Sequence, residues 1–194
     1  YRDTARCDWL CAAIHIVEAI RDGKYKVVFC FTRTIKQASA FQRRLRSIRE
    51  MLAEKNPDAN LGGDYPIEHM HGGMNMTKRK EIFSRVEEAE LGIVCAAKVL
   101  NEGIDIPFCD TVVFLEAKGS VVDIAQCSGR CNRLYAGKEV ANIVIPALLS
   151  EDEILNPGED DRAGFRVLRE TLSLLCVLDE ELRAVLCGAA DANP

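Results

Sequence analysis

Lys26-Val27-Val28-Phe29-Cys30-Phe31-Thr32 is a short continuous apolar run. Such a run reads as a strand buried on both faces, the kind that parallel sheets use. Upstream, residues 8–21 place Ile14, Val17, Ala19 and Ile20 at helical spacing and stop at Asp22-Gly23, a helix end followed by a turn. Downstream, Thr34 and Gln37 stand three residues apart as a capping box. The helix they open carries the apolar stripe Ala38, Phe41, Leu45, Ile48 and Leu52. Arg43, Arg44, Arg46 and Arg49 fall on or beside its wet face and read as ordinary solvation.

The same alternation continues along the chain. Residues 55–65, with Asn56-Pro57 and Gly62-Gly63, form a loop, and Pro66 to Met70 is the next strand. Lys78 to Glu90 reads as a helix burying Ile82, Phe83 and Val86. Gly92 to Ala96 and Asp110 to Leu115 are strands, Val121 to Leu134 is a helix, and Val140 to Ile145 is a fifth strand. Strands that alternate with helices imply parallel pairing through right-handed crossovers, hence an α/β sheet with helices on both faces. Beyond Pro146 the pattern changes to an acidic stretch with Asn156-Pro157-Gly158, then Phe165, Leu168, Leu172, Leu175 and Leu178 at helical spacing. The expected organisation is a body over residues 1–149 and an acidic linker with a helical extension over 150–194.

A chain of 194 residues is one domain of about 150 plus an appendage. With 48% hydrophobic and 28% charged residues it is neither disordered nor of low complexity. No apolar run approaches the roughly 18 residues that span a bilayer, and the first residues given show no short apolar core behind a basic start. We therefore expect no membrane partner and an intracellular location. Tyr1 in place of an initiating Met reads as the start of an excised segment. Nine cysteines with no Cys-x-x-Cys pair, the closest being Cys7 with Cys11 and Cys127 with Cys131, favour reduced thiols over a zinc site. The net charge of -5 is uneven: residues 151–194 hold 4 Lys+Arg against 11 Asp+Glu, leaving 21 of the 25 basic residues against 19 of the 30 acidic ones in the body. A local nucleic-acid surface on the body is compatible with that balance.

Ligands of open parallel sheets bind at the carboxyl ends of the strands, which directs attention to the following loops. After the third strand comes Lys98-Val99-Leu100-Asn101-Glu102-Gly103-Ile104-Asp105-Ile106-Pro107, where Gly103 lets the backbone turn tightly beside the Asp105 carboxylate. An ordinary turn explains the same pattern. In Gln126-Cys127-Ser128-Gly129-Arg130-Cys131-Asn132-Arg133, helical spacing puts Gln126, Arg130 and Arg133 on one stripe and Ile124, Cys127, Cys131 and Leu134 on another. The apolar stripe can lie on the sheet while two guanidiniums reach outward. Held together, such a pair calls for an anion between the planar forks, and phosphate oxygens suit them; the bland alternative is a solvated surface pair. Thr32-Arg33-Thr34 and His71-Gly72-Gly73 close the first two strands with hydroxyls and glycines suited to phosphates, or with plain strand-to-helix turns.

The order VVFCFTRT, HMHGGMNMTKRKEIF, GIVCAAKVLNEGIDIP, VVDIAQCSGRCNR resembles the C-terminal RecA-like lobe of superfamily 2 helicases over residues 25–147. Gln126, where DEAD-box members usually carry His, makes it more similar to DExH-type and restriction-enzyme-like members. The resemblance implies a RecA-like three-layer fold, and it implies that Arg130 and Arg133, with Gln126, reach across an interlobe cleft to nucleotide phosphates. Gly103, Asp105 and Gly129 would lie beside ATP, and Thr32, Arg33, Gly72 and Lys98 would face a DNA or RNA backbone. Ala97 stands where many members place a phosphate-binding Thr, with Lys98 next to supply charge instead. No phosphate loop is present, nor an Asp-Glu pair ending a strand, so ATP and Mg²⁺ would be held mainly by an N-terminal RecA-like lobe, and the chain alone is expected to be inactive. Two rivals follow from the residues: a non-catalytic α/β binding module, and a nucleotide-binding sensor of flavodoxin-like topology.

Overall fold

The computed structural model describes residues 4–55, 63–97, 99, 106–115, 124, 127–129, 131, 133–146, 172–177, 180 and 183–184. Its elements in chain order are α1 (Thr4–Arg21), β1 (Val27–Thr32), α2 (Ile35–Lys55), β2 (Ile67–His71), α3 (Met76–Ala89), β3 (Gly92–Ala97), β4 (Thr111–Phe114) and β5 (Asn142–Val144). The apolar run over 26–32 is the middle strand of a five-stranded sheet ordered β2-β3-β1-β4-β5, with every pair parallel. All six residues of β1 are buried, as are all six of β3, which is what burial on both faces requires.

Alternate residues of β1 supply two separate cores. Val28 and Cys30 join Ile16, Val17, Phe41 and Leu45 on the side of α1 and α2. Val27, Phe29 and Phe31 join Ile82 and Val86 of α3 together with Ile124, Cys127 and Cys131 on the other. The result is the α/β three-layer arrangement expected from the alternation. Leu175, with Leu174 beside it, packs into this second core, so part of the helical extension lies on the body rather than apart from it. Among the described residues no helix is long and apolar enough to cross a membrane.

Local chemistry sets the element ends. The Thr34 and Gln37 box forms as expected: the Thr34 N–H donates to Gln37 Oε1 at 2.9 Å and the Gln37 N–H to Thr34 Oγ1 at 3.2 Å. Asn75, not foreseen, caps α3 by accepting the Lys78 N–H at 2.8 Å. Gly92 permits a close approach, because a Cβ there would lie 3.0 Å from Val86 Cγ1 and 3.2 Å from the Pro66 carbonyl oxygen.

The arginines of α2 require a correction. Arg46 donates to the Ile67 carbonyl through Nε at 3.2 Å and Nη2 at 2.7 Å, and Gln42 Nε2 donates to the same oxygen at 2.8 Å. Arg49 donates to the Tyr65 carbonyl at 2.7 Å, lies 5.1 Å from the Tyr65 ring centroid and pairs with Asp64 at 3.3 Å. Two of the four arginines are therefore not merely solvated. They occupy carbonyls at the start of β2, an edge strand that would otherwise offer acceptors to another chain. Tyr65 is buried beneath Arg49, and burial pushes its hydroxyl up to about 12.

Candidate functional site

Because all strands are parallel, the sheet has a carboxyl rim and an amino rim with different chemistry. At the carboxyl rim β1 delivers Thr32 and Arg33 beside Gly72, which follows β2. Thr32 is buried, with Oγ1 in donating distance of the Thr34 carbonyl at 3.2 Å and the Ala96 carbonyl at 3.3 Å. Its hydroxyl is thus spent inside the fold, while Arg33 is exposed on the turn that follows. The Gly72 N–H donates to the Ala97 carbonyl at 3.2 Å, and the Gly72 carbonyl accepts from Arg79 Nη2. Gly72 brings backbone close to this rim without a spare N–H. Arg79, buried on α3, is a member of the rim that periodicity could not show, since it sits among charged neighbours in sequence.

His71 ends β2 and stacks on His69 with ring centroids 6.3 Å apart. His69 Nδ1 lies 2.9 Å from Gln42 Oε1. Burial, and then the neighbouring His71, hold the His69 imidazole below its ordinary range.

The described end of the arginine segment lies at the amino rim, where the Cys131 carbonyl accepts Lys138 Nζ. Residues 124, 127–129 and 131 are helical, and Ile124, Cys127 and Cys131 are fully buried, so both cysteines are core side chains as expected. Leu134 departs from its expected stripe: it lies beyond the helical residues and is 97% exposed. The stripe fails because the chain bends at Arg133 before another turn is completed. Gly129 and Arg133 are exposed. Gln126, Arg130, Lys98, Gly103 and Asp105 lie outside the described residues.

The amino rim is densely bonded. The Asp110 carboxylate accepts the Lys26 N–H at 2.8 Å, the Val27 N–H at 3.1 Å and the Thr111 hydroxyl at 2.9 Å. Lys138 Nζ donates to the carbonyls of Pro107, Cys109 and Cys131 at 2.7, 3.2 and 2.8 Å. Tyr135 donates to Glu87 at 3.1 Å. Sequence reading missed both Asp110 and Lys138; an acid directly before a strand and a Lys after a turn glycine were the only local signals. A cleft of about 500 Å³ opens here, but its lining sets Lys24, Lys26 and Lys138 against Glu87, Glu90, Asp110 and Glu139, which leaves no surplus of positive charge to attract a phosphate. Among the described residues no group of three His, Cys, Asp or Glu side chains could hold a metal ion.

The parallel sheet, its two helical layers and the arginine segment define a RecA-like α/β lobe. The model of the helicase conserved C-terminal domain matches residues 8–135, and the chain belongs to that family. It is 22% identical over 173 residues to a probable ATP-dependent RNA helicase, ddx10, of Dictyostelium discoideum, covering 87% of this chain and 19% of that protein. The chain thus spans less than a fifth of that relative. Among solved structures, the DNA-bound Type ISP restriction-modification enzyme LlaBIII superposes with a TM-score of 0.62 at 25% identity, over 88% of this chain and 11% of that one. The C-terminal domain of the DEAD-box protein Dbp5 superposes with a TM-score of 0.58 at 16% identity, over 87% and 79%.

Proposed function

We propose that this chain is the second motor lobe of an ATP-dependent nucleic-acid helicase or translocase of the DExH-type or restriction-enzyme-like branch. The observation that carries the reading is the two-sided arginine segment: Ile124, Cys127 and Cys131 anchor it in the core while Arg133 emerges exposed at its end. In this reading an N-terminal RecA-like lobe grips ATP and Mg²⁺. Arg130 and Arg133, with Gln126 beside them, close the site, and their fixed charges offset the negative charge that develops on the γ-phosphoryl oxygens. Gly103, Asp105 and Gly129 line the nucleotide side. The exposed Arg33, with Lys98, takes the phosphates of a DNA or RNA strand, and Gly72, its N–H spent on Ala97, lets the strand approach the rim closely. Thr32, buried and internally bonded, holds that turn in shape rather than touching the strand. Closure and release of the two lobes then move one set of phosphate contacts along the strand.

The reading is tested by ATP turnover of residues 1–194 with Mg²⁺ and nucleic acid, alone and joined to an N-terminal RecA-like lobe. Turnover should require the N-terminal lobe. Robust hydrolysis by residues 1–194 alone contradicts it, and tight ATP binding without the other lobe supports the nucleotide-sensor rival.

A further inference from the structure

Arg133 lies between two residues that are each tied to the body. Two positions before it, the Cys131 carbonyl accepts Lys138 Nζ at 2.8 Å; two positions after it, the Tyr135 hydroxyl donates to Glu87 at 3.1 Å. Carbonyls in the last turn of a helix lack intrahelical partners, and a cation there is favourable to the helix dipole. The same ammonium also donates to the Pro107 and Cys109 carbonyls, on the segment that leads into β4. A lysine has three N–H donors, and here each finds a carbonyl. The Lys138 N–H also donates to the Tyr135 carbonyl at 3.1 Å, with Gly137 at φ 76° completing the turn.

The segment on the other side of Lys138 is itself rigid. Asp110, one residue past Cys109, binds the start of β1 through both carboxylate oxygens, and its carbonyl accepts the Asn142 N–H at 2.7 Å. An unbroken series of bonds therefore runs from the central strand through Asp110 and Lys138 to the end of the arginine helix. We propose that Lys138 is a positioning residue for the arginine finger Arg133, fixing the helix end against the amino rim of the sheet so that the guanidinium is held in place before nucleotide arrives. This proposal rests on the motor reading above. Preorganised charge is what makes such a finger effective, and displacement by about 1 Å costs on the order of 100-fold in rate.

A plain helix cap would predict something different, namely lower stability with normal turnover of the folded protein. The test uses the two-lobe protein and measures kcat, KM for ATP and melting temperature for Lys138→Met, Arg133→Ala and the double variant. Lys138→Met should lower kcat by about tenfold or more with KM for ATP within about threefold. In the Arg133→Ala background the same substitution should lower kcat by no more than about threefold, because the group it positions is gone. Lys138→Gln keeps two amide N–H donors without the charge and should fall between parent and Lys138→Met; it provides the same comparison if the Met variant does not fold. Normal kcat in a folded Lys138 variant, or an equal loss in both backgrounds, overturns the positioning role while leaving the motor reading intact. Parental turnover in Arg133→Ala overturns the motor reading first and this inference with it.

Discussion

The two rims of one sheet are built to opposite ends. At the amino rim, Asp110, Lys138 and Tyr135 put their polar atoms into bonds between segments distant in sequence, the longest joining Lys26 to Asp110 across 84 positions. At the carboxyl rim the polar atoms of Thr32 and Gly72 are also spent, but on shaping turns that leave Arg33 exposed. The first rim ties down a helix end; the second leaves charge exposed. Stiffness on one rim and accessible charge on the other is what a lobe needs if one part must meet a nucleotide in fixed geometry and another must grip and release a backbone.

Removing one residue from each rim should therefore give different phenotypes. Asp110→Ala leaves the Lys26 and Val27 N–H groups and the Thr111 hydroxyl without their acceptor, and should cost about 3 kcal/mol or more of unfolding free energy, read by urea denaturation. A loss under about 1 kcal/mol would show that the amino rim is not the brace described here. Arg33→Ala should leave stability within about 0.5 kcal/mol. In nucleic-acid binding it should instead lower the salt dependence by about one phosphate contact. An unchanged salt slope would remove Arg33 from the contact surface.

The smallest effect concerns pH. Burial holds the His69 imidazole below its ordinary value, so the folded state takes up its proton later than the unfolded chain does. The unfolded state then binds more protons, and His69 contributes stability that is present above about pH 6.5 and is lost as pH falls from there through the folded value. His69→Gln should flatten the stability curve in that window. An unchanged slope would assign the acid sensitivity to other groups.

Much of this architecture was readable from local pattern. The doubly buried run at 27–32, the strand-helix alternation and the Thr34 to Gln37 box depend on neighbours within a few residues, and each forms as read. Cys127 and Cys131 were readable as core for the same reason, since helical spacing put them opposite the arginines. Leu134 was misplaced because spacing does not announce where a helix stops. Arg46 and Arg49 looked solvated because their acceptors, Ile67 and Tyr65, lie on another element. Lys138 and Asp110 were illegible on the same ground: their partners meet only when the sheet is assembled.

The central claim is that the arginine segment acts on a triphosphate held by a second lobe, and steady-state ATP turnover of the two-lobe protein with Arg130→Ala or Arg133→Ala measures it most directly. Each substitution should lower kcat by about 10³ or more, with folding and nucleic-acid affinity retained. Parental turnover in both variants would contradict the account and leave a non-catalytic binding module in its place.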